Sequence, residues 1–202
     1  MLIKHNDKTP SFDPSTYIAP NAMLCGNVKI GKNCRIMFGA QIIAENSPII
    51  IGDNCIILEN AVIRGCNDFP VTIGNNCLVG PHAHLAGCTI EDEVFVATGA
   101  SVFHGAVLKK GSEVRINGIV HLMSTLPENA TVPIGWIAVG DPIKIISPDK
   151  DDEIWPIQKP LNFPKTVYGI DRPQTGETNN MPAICKSMSD RLGSFLQDDV
   201  KE

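Results

Sequence analysis

The sequence contains few aromatic side chains, no block of like charges and no long apolar run. Phe, Trp and Tyr make up 5% of the 202 residues, which together with abundant Ile and Val favours a β-rich core of branched aliphatic side chains. No apolar run approaches the ~20 residues that a membrane-spanning helix needs. The N-terminus is too polar for a secretory signal. These absences predict a cytoplasmic protein without a membrane partner.

Basic patches are also missing, since the net charge is −5 and the Lys and Arg residues are scattered. A nucleic-acid-binding protein would carry a basic footprint, so we expect no nucleic-acid partner. None of the seven cysteines forms a CxxC pair, which argues against a zinc ribbon. An odd number without a secretory signal also argues against a disulfide framework. Most of the cysteines are therefore predicted to be small buried side chains.

A repeat of six residues organises the middle of the chain. It is clearest in "IGKNCR" from Ile30, "IGDNCI" from Ile51, "IGNNCL" from Ile73 and "VGPHAH" from Val79. An aliphatic residue occupies the first place, and Cys or Ala occupies the fifth. A period of six is neither helical nor a simple strand alternation, so the backbone has to turn a corner in every repeat. Three hexads then form one triangular coil, and the coils stack as parallel strands.

This pattern resembles the hexapeptide-repeat family, which implies an all-β fold, the left-handed parallel β-helix. We expect an N-terminal segment over 1–17, the β-helix over 18–142 and a C-terminal tail over 143–202. Two interruptions, Ala44–Ile49 ("AENSPI") and Gly65–Pro70 ("GCNDFP"), predict longer turns. In the tail, "SPDKDDEIW" predicts the start of a helix, and the Pro-rich stretch after it predicts an extended segment. The spacing of Ile184, Met188, Leu192 and Leu196 predicts a short amphipathic helix over Ala183–Gln197.

Within that family, the stretches "YIAPNAMLCGNVKIGKNCRI", "VTIGNNCLVGPHAHLAGCTIEDEVFVATGASV" and "VPIGWIAVGDPIK" resemble the γ-class carbonic anhydrases. The resemblance implies a homotrimer with three histidines that bind zinc or another divalent metal between subunits. Those three positions hold Arg64, Pro81 and Ala86 here. Two neighbouring positions that are polar in that family hold Ile43 and Leu58 here. The guanidinium of Arg64 has no acceptor atom and stays protonated, so it cannot replace a histidine ligand.

Three histidines near these positions are the candidate site residues: His82 at a corner, His84 on the outer surface of a strand, and His104 one residue beyond the equivalent position in the next coil. One hypothesis is a rearranged metal site of His82, His84 and His104. Another is a metal-free catalytic or ligand site of His82, His84 and Arg64, in which an imidazole transfers protons near neutral pH. A third is that they are polar residues of a trimer interface.

Arg64 itself has two interpretations. It could hold a small anion such as bicarbonate at the subunit interface, or it could form a salt bridge with Glu59 or Glu91.

Three functions remain open. The first is a γ-carbonic-anhydrase-like protein with a diverged interfacial site for CO2, bicarbonate or another small molecule; as an enzyme it would be a lyase that needs the metal. The second is a CoA-dependent acyltransferase of the hexapeptide family, with acetyl-CoA as cofactor and a histidine as general base. The third is a non-catalytic binding or assembly module, because "AQIIAENSPIIIGDNCIILENAVI" is similar to the paired β-helical subunits of the dynactin pointed end, which use the coil for binding.

Overall fold

A computed structural model describes residues 1–173 and 179–201. In chain order the strands are β1 (Leu2–Lys4), β2 (Ser11–Phe12), β3 (Tyr17–Ile18), β4 (Met23–Ile30), β5 (Arg35–Ile36), β6 (Gln41–Ile51), β7 (Ile56–Ile57), β8 (Val62–Gly65), β9 (Val71–Ile73), β10 (Leu78–Val79), β11 (His84–Ala86), β12 (Thr89–Ile90), β13 (Phe95–Val96), β14 (Ser101–Val102), β15 (Val107–Leu108), β16 (Glu113–Val114), β17 (Ile119–Val120), β18 (Thr125–Leu126), β19 (Thr131–Val132), β20 (Ile137–Val139), β21 (Lys144–Ile146) and β22 (Asp199–Lys201). The helices are α1 (Asp151–Gln158), α2 (Phe163–Tyr168) and α3 (Met181–Leu192), with 3-10 turns at Lys159–Leu161 and Gly193–Gln197.

The strands stack in parallel on three faces, which confirms the parallel β-helix. The first face runs through β4, β6, β8, β11, β14, β17 and β20. The second runs through β6, β9, β12, β15 and β18, and the third through β3, β5, β7, β10, β13, β16 and β19. The long strands β4 and β6 bend around one corner, so they contribute to both the first and the second face.

The N-terminal residues join this stack. β1 pairs in parallel with β4 on the first face, and β2 pairs with the later part of β4 on the second face. β22 then pairs antiparallel with β1, so the last described strand closes the sheet edge beside the first strand. Both ends of the described chain therefore meet at the first coil.

The core consists of the predicted inward positions. Ile42, Ile63, Leu85 and Val102 follow one another in the column on the first face, and each is fully buried. Each such aliphatic side chain stabilises the fold by roughly 1.5–3 kcal/mol through its removal from water. Six of the seven cysteines are buried as well, which confirms the prediction made for most of them, and Cys185 is exposed.

The "IGDN" signature is explained by one corner of the coil. Asn54 at its fourth place has a φ of 57°, in the left-handed region that Asn tolerates. The third-place Asp53 accepts a hydrogen bond at 2.7 Å from the backbone N–H of Lys32 in the preceding coil. A Cβ on Gly52 would lie 2.8 Å from the carbonyl oxygen of Gly74, so the close approach of successive coils requires glycine at the second place.

The C-terminal region contains more helix than the sequence predicts. α1 follows the acidic stretch as expected, but α2 forms in the segment that was predicted to be extended; residues 174–178 of that segment lie outside the described residues. α3 buries Ile184, while Leu196, predicted to lie on the same apolar face, is 91% exposed because the helix changes to a 3-10 turn at Gly193. No helix among the described residues is long and apolar enough to cross a membrane.

Candidate functional site

Arg64 lies on the outer surface of the first face and forms a buried ion-pair network. Its β8 position pairs with Ile43 of β6 on one side and with Ala86 of β11 on the other. The Nε–H of Arg64 donates to Oε2 of Glu45 at 3.0 Å, and an Nη2–H donates to the same oxygen. The Glu45 side chain is 1% exposed, so its carboxylate depends on these partners for the solvation that it loses on folding.

A second arginine completes the network from the C-terminal helix. Arg191 of α3 places its Nε 2.6 Å from Oε1 of Glu45, and its Nη1 group donates to the side chain of Asn67. The amide of Asn67 in turn donates to the carbonyl oxygen of Val167 in α2 at 2.7 Å. Glu45 and Asn67 both come from the two interruptions of the repeat. The turn predicted at Ala44–Ile49 is wrong, because β6 runs through it as a strand, whereas Asn67 does lie in a turn. These two segments attach the helices to the coil.

Within one chain, Arg64 pairs with neither Glu59 nor Glu91, the two glutamates proposed for an interfacial salt bridge. Glu91 pairs with Lys109 on the second face, and Glu45, which the sequence places in a turn, is the actual partner. Glu45 is the partner because β6, which pairs with β8, places its carboxylate between Arg64 and Arg191.

His84 lies half-buried on the same face, two residues before Ala86 in β11, on the outer surface as predicted. Burial, and then the positive charge of Arg64, lower the pKa of His84. Its ring centroid lies 6.3 Å from that of Phe103 in the next coil. His84 is thus held as a neutral imidazole beside a cationic group, the form that accepts a proton.

His104 is buried at the corner beyond this face. Its Nε2 lies 3.3 Å from the thiol sulfur of Cys66, and its ring contacts Phe69 edge to face. Burial, followed by the charges of His84, Arg191 and Arg64, lowers the pKa of His104 to about 4. Burial also raises the pKa of the Cys66 thiol, so the pair is neutral near pH 7.

His82 stands apart from the other two. It is exposed at a corner with a φ of 56°, in the series of left-handed corner residues that includes Asn60 in the coil before it. Its backbone N–H donates to the carbonyl oxygen of Glu59 at 3.0 Å. Within one subunit the structure therefore places His84 and Arg64 together on the first face, His104 at the next corner, and His82 outside the group.

The residues present do not fit the metal centre of the γ class. At its three ligand positions this chain has Arg64, Pro81 and Ala86, none of which offers a lone pair to a metal. Arg64 also supplies a fixed positive charge that repels a dication. Among the described residues the only cluster of three potential ligands lies elsewhere, at His5, Cys25 and Asp198, and does not include His82, His84 or His104.

Sequence reasoning missed two members of the ion-pair network, Arg191 and Asn67. The available signal was the pair of interruptions in the hexad rhythm, which mark where side chains leave the stacked columns. The repeat contains no information about which tail residue they meet.

Comparisons with known proteins agree with the repeat. A family model described as the hexapeptide repeat of succinyl-transferase matches residues 27–64 and 70–104. Gamma carbonic anhydrase 1, mitochondrial, of Arabidopsis thaliana is 29% identical over 176 residues, covering 73% of this chain and 54% of that protein. Gamma carbonic anhydrase 2, mitochondrial, of the same plant is 31% identical and covers 73% of this chain and 53% of its own length. The chain thus spans about half the length of these curated relatives.

A solved structure of a hexapeptide transferase family protein from Anaplasma phagocytophilum is 28% identical, with a TM-score of 0.53 over 79% of this chain and 90% of that chain. The repeat, the three-faced coil and these similarities converge: the chain is a hexapeptide-repeat β-helix protein that resembles the γ-class carbonic anhydrases.

Proposed function

We propose that the chain is a non-catalytic assembly subunit, a γ-carbonic-anhydrase-like β-helix that forms a homotrimer through its first face. The observation that carries this proposal is the Glu45–Arg64–Arg191 network. It stands where the family's first metal ligand would be and fills that position with a group that cannot bind a metal. The same network attaches α3 to the coil through Arg191.

The uncovered part of the first face supports a role in contact between subunits. It presents half-buried His84 and Ser101 in register on neighbouring strands, with exposed His82 at the adjacent corner. These groups are polar, which suits the polar rim of a protein interface.

Light scattering tests the assembly. We expect three times the chain mass of 21.8 kDa for the wild type. Ser101→Arg places a charge on the first face and should yield monomers, whereas Thr125→Arg, on the second face, should leave the trimer intact. A monomeric wild type, or equal effects of the two variants, would contradict the proposed interface.

CO2 hydration tests the absence of carbonic anhydrase catalysis. With added zinc, the wild type should show no rate above buffer. Hydration that disappears in His82→Ala or His84→Ala would instead establish the rearranged metal site, and the assembly proposal would fail.

Acyl transfer is the second candidate, because His84 is a neutral imidazole on an outer face beside Arg64 and because a solved relative is titled a hexapeptide transferase family protein. Acetyl-CoA would then raise the melting temperature of the wild type and raise it less for His84→Ala. No shift with acetyl-CoA leaves the assembly function.

We also propose a cellular compartment for the protein. Cytoplasmic placement stays our prediction, while the names of the plant relatives place those proteins in mitochondria. Imaging of the full chain with a C-terminal fluorescent tag distinguishes the two compartments.

A further inference from the structure

A second polar cluster lies where the two ends of the described chain meet, two coils away from Arg64. The Nδ1 of His5 lies 2.5 Å from Oδ1 of Asp198, and the Sγ of Cys25 lies 3.8 Å from Oδ2 of the same carboxylate. These three groups each offer one ligand atom, and those atoms all lie within 4.8 Å of one another. The His5 and Asp198 side chains are 1% and 12% exposed, and Cys25 is buried.

We propose that His5, Cys25 and Asp198 form a zinc site that fastens the C-terminal segment to the first coil. An imidazole nitrogen, a thiolate and a carboxylate oxygen are the donors that zinc takes in proteins, at about 2.0–2.3 Å each. Magnesium and calcium prefer sites made of oxygen ligands alone, so this donor set disfavours them.

The separations need one adjustment to admit the ion. Two ligands on a tetrahedral zinc lie roughly 3.3–3.6 Å apart, given those bond lengths. The distance from Cys25 to Asp198 is close to that value, while the distance from His5 to Asp198 has to widen. Rotation of the Asp198 carboxylate provides this, because its carboxylate group is the most exposed of the three and belongs to the segment after the last helical turn.

The surroundings hold His5 in the orientation that a ligand needs. Its ring stacks on Phe195, with centroids 4.2 Å apart and planes within 15°. Its Nε2 faces the side-chain amide of Asn6 at 3.0 Å, which leaves Nδ1 for the shared site. A metal-bound histidine usually donates its second ring N–H to an acceptor, so on binding the Asn6 amide has to turn over and present its oxygen to Nε2 in place of its NH2 group. Binding releases the thiol proton of Cys25 to solvent and moves the imidazole proton of His5 from Nδ1 to Nε2.

A cavity beside the cluster supplies the fourth position. It is lined by Cys25 and Asp198 at one end and by Arg64 at the other, with Ile43, Leu192 and Phe195 between them. Three protein ligands and an open side toward a cavity leave room for a water or an anion on the ion. This site uses none of the positions that hold metal in the γ class, so it is independent of the proposed assembly function.

The test combines metal content with a spectroscopic signature. Purified full-length protein, loaded with zinc and dialysed, should retain one zinc per chain by mass spectrometry and should melt at a higher temperature than the chelated protein. With cobalt in place of zinc, a near-ultraviolet charge-transfer band should report a bond between the metal and a thiolate.

Cys25→Ser and Asp198→Asn should each lower retained zinc at least tenfold, and Cys25→Ser should abolish the cobalt band. Cys185→Ser removes the exposed cysteine and is the matched control, with zinc and band unchanged. Absence of retained zinc in the folded wild type would overturn the proposal, and so would a band that Cys25→Ser keeps. In either case the contact between His5 and Asp198 is only a hydrogen bond.

Discussion

Glu45→Gln is the sharpest test of the network that holds the C-terminal helix on the β-helix. The substitution keeps the shape of the side chain and removes its charge, leaving Arg64 and Arg191 facing each other without a counter-ion. Breaking a fully buried ion pair costs about 3–5 kcal/mol. The two arginine side chains are 30% and 23% exposed, so water takes over part of their solvation. We therefore expect a loss of about 2–3 kcal/mol in the free energy of unfolding.

For a chain of this size that loss corresponds to a fall of roughly 4–12 °C in melting temperature. Urea denaturation followed by circular dichroism measures it directly. Limited proteolysis should also release α3 from the variant faster than from the wild type, because Arg191 attaches this helix to Glu45.

Glu113→Gln is the matched control for this experiment. Glu113 pairs with Arg115 at 3.5 Å, but both side chains are about half exposed, so the change should cost about 0.5 kcal/mol or less. If Glu45→Gln costs no more than Glu113→Gln, the network does not stabilise the fold and the reasoning fails.

Three further predictions follow from the histidines and cysteines. Burial lowers the pKa of His104 to about 4, so as the pH falls the unfolded chain protonates this histidine before the folded chain does, and the free energy of unfolding should hold above pH ~6.5 and decline toward pH 4. Urea denaturation at pH 7 and pH 5 should show a smaller decline for His104→Gln than for the wild type. An equal decline would contradict the assignment. His82→Asn should keep the melting temperature within about 1 °C, because Asn tolerates the left-handed corner. His82→Val should destabilise the fold by roughly 1 kcal/mol, because a β-branched residue is strained there. Equal melting temperatures of the two variants would refute that strain. A thiol reagent should label only Cys185 rapidly in the native protein and seven cysteines per chain in denaturant; fast labelling of native Cys185→Ser would show that the coil opens.

The hexad rhythm predicted the coil with useful accuracy because its information is local. An aliphatic residue at every first place and a small one at every fifth place reproduce the same inward columns in each coil, and the corner residues at the fourth place follow the conformational preference of Asn. The outward placement of His84 and the corner position of His82 follow from that count alone. So does the prediction that Arg64 and Ala86 stack on neighbouring strands, which the pairing confirms.

The tail was predicted less well, since its helices are short and rich in proline. α2 begins with Phe163 and Pro164 and packs through Val167, a pattern too brief to separate from an extended segment. Leu196 fits a helical stripe in the sequence, yet the helix tightens before it, and the side chain points to solvent.

By itself, the sequence determined the class of fold and the inward columns, because both depend on residues a fixed number of places apart. The loss of the three metal-ligand positions followed from the resemblance to the γ-class carbonic anhydrases. Only the tertiary structure decided which charges meet. Arg191 reaches Asn67 across 124 positions, and His5 meets Asp198 across 193 positions. Such contacts follow no period, since they arise when the non-repeating tail docks on the coil. Each charged group pairs with the opposite charge that the docked tail brings beside it and buries.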